Sequence, residues 1–165
     1  MRGYTHRYVG GLAGVCLAAA ISKSADVSLL ATCAVAGVVG GSVPDIDKRG
    51  SHISNRLPIL SWITEKTLGH RGVLHTPFAL LLLELGILWL AQNGYINSFV
   101  LTVCQAFILG YFSHLLLDFL TPRGIMLLYP LSRKYSRFLG LKSGLREPAA
   151  IVLVTAAAGM LIYRH

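Results

Sequence analysis

The hydrophobic residues of this chain fall into long runs with few charges, separated by short polar segments. Five runs approach the ~20 residues that a membrane-spanning helix needs. They cover residues 8–22, 27–44, 76–91, 98–120 and 148–163. The pattern predicts an all-α fold, a polytopic membrane helix bundle of about five helices that forms a single membrane-embedded domain over residues 1–165.

The composition agrees with this pattern and excludes an ordinary soluble domain. Hydrophobic residues make up 54% of the chain and charged residues only 13%, against about 25% charged in a typical soluble domain. Seventeen glycines lie mostly in or near the apolar runs, and glycine is frequent in membrane helices. Cys16, Cys33 and Cys104 lie inside these runs without metal-ligand spacing, so we expect free thiols and no disulfide-linked partner.

The charges predict an orientation in the membrane. With a cytoplasmic N-terminus, thirteen of the fifteen Lys and Arg residues lie on the cytoplasmic side, and only Lys23 and Arg164 lie opposite. The positive-inside rule therefore predicts that the N-terminus is cytoplasmic. This placement explains the net charge of +8 without nucleic acid as a partner. Residues 2–20 also resemble a secretory signal peptide, and we expect them to be retained.

Two loops have the composition of membrane-surface segments, which makes membrane lipids the expected partners. Residues 57–63 form an amphipathic interfacial segment, in which Pro58 suits a first helical turn and Trp62 suits headgroup depth. Residues 121–147 are basic, with aromatic residues interleaved. This second loop fits an anionic lipid surface.

Seven residues that can bind a metal reach the same face of the membrane under this topology. Histidine nitrogen and carboxylate oxygen are ligands of divalent metals. The seven come from four separate places in the chain, so their convergence is stronger evidence of a site than any one of them. They are His6, Asp45, Asp47, His70, His75, His114 and Asp118.

His114 and Asp118 are four residues apart, so both lie on one face of a helix. Both lie in the predicted span 98–120, where burying an ionisable group in the membrane costs free energy and the group usually has a function. The alternative is a buried hydrogen-bonded pair that holds helices together.

His70 and His75 are five residues apart, a spacing that would point them about 140° from each other on a helix. We therefore expect both on a loop. Thr76 is the predicted N-cap of the next helix and Pro77 its first residue.

Other polar residues have structural interpretations. Asp45 and Asp47 follow Pro44 and could be turn residues. His52 and His165 share no motif with another ligand, so we expect structural roles for them. Glu84 lies in the middle of a predicted helix, where we expect a polar contact to another helix.

Several motifs resemble the YdjM-like family of inner-membrane proteins, described as predicted membrane-bound metal-dependent hydrolases. The motifs are Thr5-His6, Pro44-Asp45-Ile46-Asp47, Gly69-His70-Arg71-Gly72 with His75, and residues 110–130 around His114 and Asp118. The resemblance runs from about His6 to Pro130. It implies a multi-pass protein of the cytoplasmic membrane in which the seven residues form the active site. Leu74 departs from the family, which usually has Thr before the second histidine.

The expected function is a membrane-bound metal-dependent hydrolase acting on a phosphoester at the cytoplasmic interface, with a lipid phosphate as the expected substrate. Seven ligands are too many for one tetrahedral zinc, so we expect one or two divalent ions, zinc or manganese. Asp47 and Arg71 are the expected catalytic residues. Arg71 could bind a phosphoryl oxygen in bidentate fashion, with Arg49 as a weaker candidate.

Two other functions compete with this hypothesis. A metal-free lipid phosphatase with a histidine nucleophile also uses His followed by Asp, but its Lys-x6-Arg-Pro motif is missing here. A proton or ion conductor would use His114, Asp118 and Glu84 as a relay. That reading leaves the motifs around Asp45 and His75 unexplained.

Overall fold

The computed structural model describes residues 3–22, 26–47, 52–56, 59, 62, 73–138, 151 and 155. Its helices are α1 (Gly3–Ile21), α2 (Val27–Gly40), α3 (His52–Arg56), α4 (Pro77–Gln92) and α5 (Ser98–Phe119). Two 3₁₀ helices cover Val43–Asp47 and Val73–His75. The described residues contain no β-strand, only an isolated bridge between Ile125 and Ser136. The predicted all-α class is confirmed.

One helix among the described residues, α5, is both long and apolar enough to cross a membrane, with a mean hydropathy of 1.8 over its most apolar part. Helices α2 and α4 are apolar but shorter. The part of the chain that the structure describes thus gives one candidate span, whereas the sequence pattern of the whole chain predicts about five. Of the last predicted helix, residues 148–163, only Ile151 and Thr155 are described, and both are helical.

The helix ends follow local capping chemistry. The Asp26 side chain caps α2 by accepting hydrogen bonds from two backbone amides, and the Asn97 side chain caps α5 by accepting one from the Val100 amide. Thr76 caps α4, with its hydroxyl oxygen accepting from the Ala79 amide, and Pro77 is the first helical residue. Both predictions for this helix start are confirmed. Thr76 has an extended backbone, and its side chain pairs with an amide of the first turn that has no partner within the helix.

The start of α1 differs from the prediction. The first apolar run begins at residue 8 and so predicts that His6 precedes the helix, but α1 begins at Gly3 and His6 lies inside it. An apolar run indicates which part of a helix can lie in an apolar environment. The helix itself can begin earlier, as α1 does. His6 is only 2% exposed, and the Arg7 side chain bonds back to the Gly3 carbonyl. Both polar residues therefore fit within the helix.

Helices α1, α2 and α5 pack against one another through glycines. A Cβ atom at Gly37 would collide with the Gly10 carbonyl of α1, and one at Gly110 would collide with the Gly37 carbonyl. Similar contacts join Gly14 to Cys33 and Gly40 to Phe107. Small residues let helix backbones approach closely enough for extensive van der Waals contact, the usual basis of helix association in membranes.

Helix α4 packs mainly on α5, and less extensively than the other three helices pack together. The amide nitrogen of Gln105 on α5 donates a 2.9 Å hydrogen bond to Glu84 of α4. The predicted polar contact of Glu84 to another helix is confirmed.

Of the predicted interfacial segment 57–63, only Ile59 and Trp62 are described. Both are helical, and both are exposed. The remaining residues of the segment lie outside the described part of the chain.

Candidate metal centre

Five of the seven predicted ligands lie together at one end of the bundle, and all five are at most 6% exposed. Each comes from an element that ends or begins there. His6 is in the first turns of α1, Asp45 in the 3₁₀ helix after α2, and His75 in the 3₁₀ helix before α4. His114 and Asp118 occupy the last turns of α5. The predicted i, i+4 pair is therefore confirmed as one face of a helix.

The Asp118 carboxylate faces three histidines. Its Oδ1 lies 3.4 Å from Nε2 of His6. Its Oδ2 lies 3.8 Å from Nε2 of His114 and 3.9 Å from Nε2 of His75. Asp45 reaches the same region, with its Oδ1 3.9 Å from Nε2 of His75. Asp118 is therefore the residue that connects all three histidines.

The orientation of His114 follows from a hydrogen bond at the end of α2. Its Nδ1 lies 2.8 Å from the backbone oxygen of Gly41. Because a carbonyl oxygen can only accept, Nδ1 carries the proton and Nε2 carries the lone pair. Among the described residues, Nε2 of His114 is buried without a hydrogen-bond partner. A backbone carbonyl that fixes one imidazole nitrogen so that the other can bind a cation is typical of metal-binding histidines.

The imidazole rings of the site are close to one another. His6 and His114 stack with ring centroids 3.9 Å apart, and His75 meets His114 edge-on at 5.3 Å. Two imidazolium charges at such distances would repel each other strongly in a buried site. Neutral rings can instead share one cation, which the two carboxylates would balance.

The distances between these groups fit ligands arranged around a metal ion. The four N–O separations of 3.4–3.9 Å exceed the usual 2.7–3.2 Å of an N–H···O hydrogen bond. Atoms bound about 2.0–2.2 Å from a tetrahedral ion lie roughly 3.3–3.6 Å apart. The 3.4 Å separation of His6 and Asp118 has this spacing, and the other three, at 3.8–3.9 Å, are slightly longer. Two sets of three residues have ligand atoms that all lie within 4.8 Å of one another, and His114 belongs to both. The sets are His6, His114 and Asp118, and Asp45, His75 and His114.

The other predicted site residues are described only in part or not at all. The backbone of Asp47 ends the 3₁₀ helix that carries Asp45, and its side chain lies outside the description. His70, Arg71 and Arg49 also lie outside it, as does His165. His52 is the first residue of α3, and its side chain is not described. The roles expected for these residues stay predictions.

Two supporting contacts were not predicted from the sequence. The Gly41 carbonyl orients His114, and a Cβ atom at Gly41 would lie 2.5 Å from the His6 carbonyl oxygen. The Tyr111 hydroxyl donates to the Leu74 carbonyl oxygen, next to His75. The Gly40-Gly41 pair before Pro44 is the only sequence signal that could have indicated the first contact. The hydrogen bond from Tyr111 is made to the backbone of Leu74, so it does not depend on whether Leu or the Thr usual in the family occupies this position.

Comparison with known proteins identifies the family. The family model of the YdjM inner membrane protein matches residues 1–164. The uncharacterized protein YvsG of Bacillus subtilis is 35% identical over 144 residues, which are 87% of this chain and 82% of YvsG. The inner membrane protein YdjM of Escherichia coli is 38% identical over 89 residues, 53% of this chain and 44% of that protein. No solved structure matches the chain. The chain therefore belongs to the YdjM inner membrane protein family.

Proposed function

We propose that this protein is a metal-dependent hydrolase of the inner membrane that acts on a phosphoester. The observation that carries the proposal is the convergence of three histidines and two aspartates in one buried cluster. They are drawn from four elements that are distant in the chain, as described above. Purely structural polar residues need only one partner each. Five N and O donors around a common space are better suited to holding a cation.

In this mechanism, the described side chains hold the metal and balance its charge. His6, His75 and His114 contribute neutral nitrogen donors, and Asp45 and Asp118 contribute negative charge. A divalent ion held by these residues would supply Lewis acidity for hydrolysis of the ester. The Asp118 carboxylate lies 3.4–3.9 Å from Nε2 of each of the three histidines, and the Gly41 carbonyl fixes the orientation of the His114 ring.

The number of ions depends on residues beyond this cluster. His114 can bind through Nε2 alone, because Nδ1 is engaged by Gly41. It cannot bridge two ions through both ring nitrogens. The three histidines and two aspartates of the cluster therefore provide enough ligands for one ion. A second ion would need the carboxylate of Asp47 or the imidazole of His70, which the family motifs place beside Asp45 and His75 in the sequence.

We also propose that several helices cross the membrane, with the N-terminus in the cytoplasm. Apolar side chains remain exposed on the described helices in addition to α5. They include Val35 on α2 (63% exposed), and Leu81 and Leu85 on α4 (55% and 53%). In water such surfaces would be costly, whereas lipid tails cover them without a penalty. The charge distribution supports the orientation.

The topology has a direct test. A reporter fused after Asn93 is expected outside the cytoplasm, and one fused between Arg133 and Lys142 inside it. The reverse pattern would place the metal cluster on the outer side of the membrane and change the substrates available to it.

A lipid-linked phosphoester is the proposed substrate class. The cluster lies in the last turns of α5, the candidate span. A site at the end of a span is at the depth of the phospholipid headgroups. Arg71 and Arg49 are the proposed phosphoryl-binding residues, and Asp47 and Arg71 the proposed catalytic residues, from their places in the sequence motifs.

The two competing functions fit the geometry less well. A single histidine nucleophile needs one orienting aspartate, whereas Asp118 faces three histidines. A proton relay would have to join Glu84 to His114. Glu84 is bonded to Gln105, nine residues before His114, which is roughly 13 Å along a helix. That distance is too long for a single proton transfer.

Elemental analysis of the protein purified without chelator tests the proposal. One or two divalent ions per chain are expected, with zinc or manganese as the expected metal. Hydrolysis of a phosphodiester such as bis(p-nitrophenyl) phosphate, and of phosphatidic acid in mixed micelles, should disappear on chelation and return when the metal is restored. Hydrolysis that persists in metal-free protein would favour the histidine nucleophile and overturn the proposal.

A further inference from the structure

The segment that follows α5 forms an ordered loop, which we call the basic loop (residues 121–138). Its two arms are joined by an antiparallel bridge, with backbone hydrogen bonds of 3.0 and 2.8 Å between Ile125 and Ser136. Gly124 adopts φ +69°, where a side chain would be strained and would also collide with the Ser136 carbonyl. Ile125 is buried against Tyr111 of α5. The loop is therefore attached firmly to the helix bundle.

The basic loop returns to the end of the candidate span. The Phe138 amide donates a 3.1 Å hydrogen bond to the carbonyl oxygen of Phe119, the last residue of α5, and the two rings stack. On another side, Tyr129 meets Phe78 at the start of α4. The loop is thus held at the C-terminal end of the candidate span, at the same end of the bundle as the candidate metal centre.

The surface of the basic loop combines apolar tips with positive charge. Leu131 is 91% exposed and Phe138 70%, and Leu128 and Tyr135 are also more than half exposed. Four basic side chains are exposed among them: Arg123, Arg133, Lys134 and Arg137. No Asp or Glu occurs between residues 119 and 138. The loop therefore offers positive charge that its own sequence does not balance.

We propose that the basic loop binds anionic phospholipids of the membrane in which the protein lies. Its apolar tips would insert among the acyl chains, and its basic side chains would pair with headgroup phosphates. Long Lys and Arg side chains can reach the headgroups from a backbone lying slightly deeper. A nucleic acid or an acidic protein would match the charge but would leave the exposed leucines in water. The inference does not depend on the proposed hydrolase activity.

Fluorescence quenching by brominated lipids tests this inference on the full chain. The two natural tryptophans are replaced (Trp62→Phe, Trp89→Phe), and Tyr135→Trp places a single reporter in the basic loop. The protein is reconstituted in phosphatidylcholine bilayers that contain the same fraction of either brominated phosphatidylglycerol or brominated phosphatidylcholine. We expect stronger quenching by phosphatidylglycerol, and a smaller difference as the salt concentration rises.

Three sets of substitutions separate charge from insertion. Arg133→Gln with Lys134→Gln should reduce the preference for phosphatidylglycerol by about fivefold per charge removed, while quenching by phosphatidylcholine stays. Leu128→Ser with Leu131→Ser should weaken quenching by both lipids. Arg56→Gln is the matched control, because it removes an exposed charge from α3 and should leave the preference unchanged.

Two results would overturn the inference. Equal quenching by both brominated lipids at low salt would show that the loop does not select anionic lipid. Absence of quenching by either lipid, with the helical circular dichroism intact, would place the loop outside the membrane surface and leave a soluble acidic partner as the better explanation.

Discussion

Ionisable side chains interrupt the apolar helices of this protein at two places, one buried and one, at Glu84, half-buried, and the two differ in how they are assembled. The candidate metal centre combines residues from α1, α5 and the two 3₁₀ helices, and its three histidines face one carboxylate. Glu84 instead makes a single hydrogen bond to Gln105. Both groups contain ionisable residues in predicted spans. Convergence of several chain segments is what distinguishes a candidate site from a contact between two helices.

The backbone around the two groups also differs. Near the cluster, Gly41 lies against the His6 carbonyl, and the closely packed α1, α2 and α5 hold their positions through glycine contacts. Helix α4, which carries Glu84, packs more sparsely, and Leu81, Leu82 and Leu85 remain exposed on it. The cluster therefore rests on a rigid frame suited to precise ligand placement, and the Glu84 contact adds a polar attachment to a peripheral helix.

The largest effect is expected from removing a central ligand. Asp118→Asn keeps the side-chain volume but removes the charge that balances a divalent ion, so metal affinity should fall by more than the roughly 10–100-fold that loss of a supporting interaction causes. His114→Gln should do the same. Metal stoichiometry and thermal stability of both variants are measured in the same detergent. If stability collapses while metal per folded chain stays at the wild-type level, α5 supplies no ligands and the metal-dependent mechanism is wrong.

A smaller effect is expected from a residue that supports the cluster without belonging to it. In Gly41→Ala, the added Cβ would press on the His6 carbonyl and shift the oxygen that orients His114. Supporting interactions of this kind typically change metal affinity by about 10–100-fold. Metal titration of the purified protein measures the change. Unaltered affinity in a folded variant would mean that this contact does not position the His114 ring.

Glu84→Gln tests the other side of the comparison. The new amide can still accept the hydrogen bond from Gln105, so we expect a change of less than about 1 kcal/mol in the free energy of unfolding. Metal content should equal that of the wild-type protein. A proton flux into vesicles that this substitution abolishes would support the conductor hypothesis over the hydrolase. Loss of metal would contradict the purely structural role given to Glu84.

The smallest effect is expected for the two histidines outside the motifs. His52→Ala and His165→Ala should leave metal content unchanged, because neither residue shares a motif with another ligand. Elemental analysis of each variant beside the wild-type protein provides the check. A metal-free His52→Ala protein would show that the ligand assignments in the loop after α2 need revision.

The sequence predicted the helices well wherever hydropathy and capping act locally. The predicted starts at Val27 and Ser98 agree with α2 and α5, and Thr76 with Pro77 defines the start of α4. It failed at the start of α1, because a polar residue such as His6 does not end a helix when the fold buries it beside other polar groups. Local sequence patterns indicate helix propensity and the length of an apolar segment. They do not indicate which residues from distant parts of the chain pack against that segment in the folded protein.

The sequence by itself determined the residue types of the candidate site and the i, i+4 relation of His114 to Asp118, since helix geometry fixes that relation. Only the tertiary structure decided that His6 and His75 lie within 4 Å of Asp118, and that the Gly41 carbonyl engages Nδ1 of His114 and leaves Nε2 facing the other candidate ligands. These contacts join residues dozens of positions apart. They depend on how closely the backbones of α1, α2 and α5 approach one another at their glycines. The spacing of residues along the sequence carries no information on that distance.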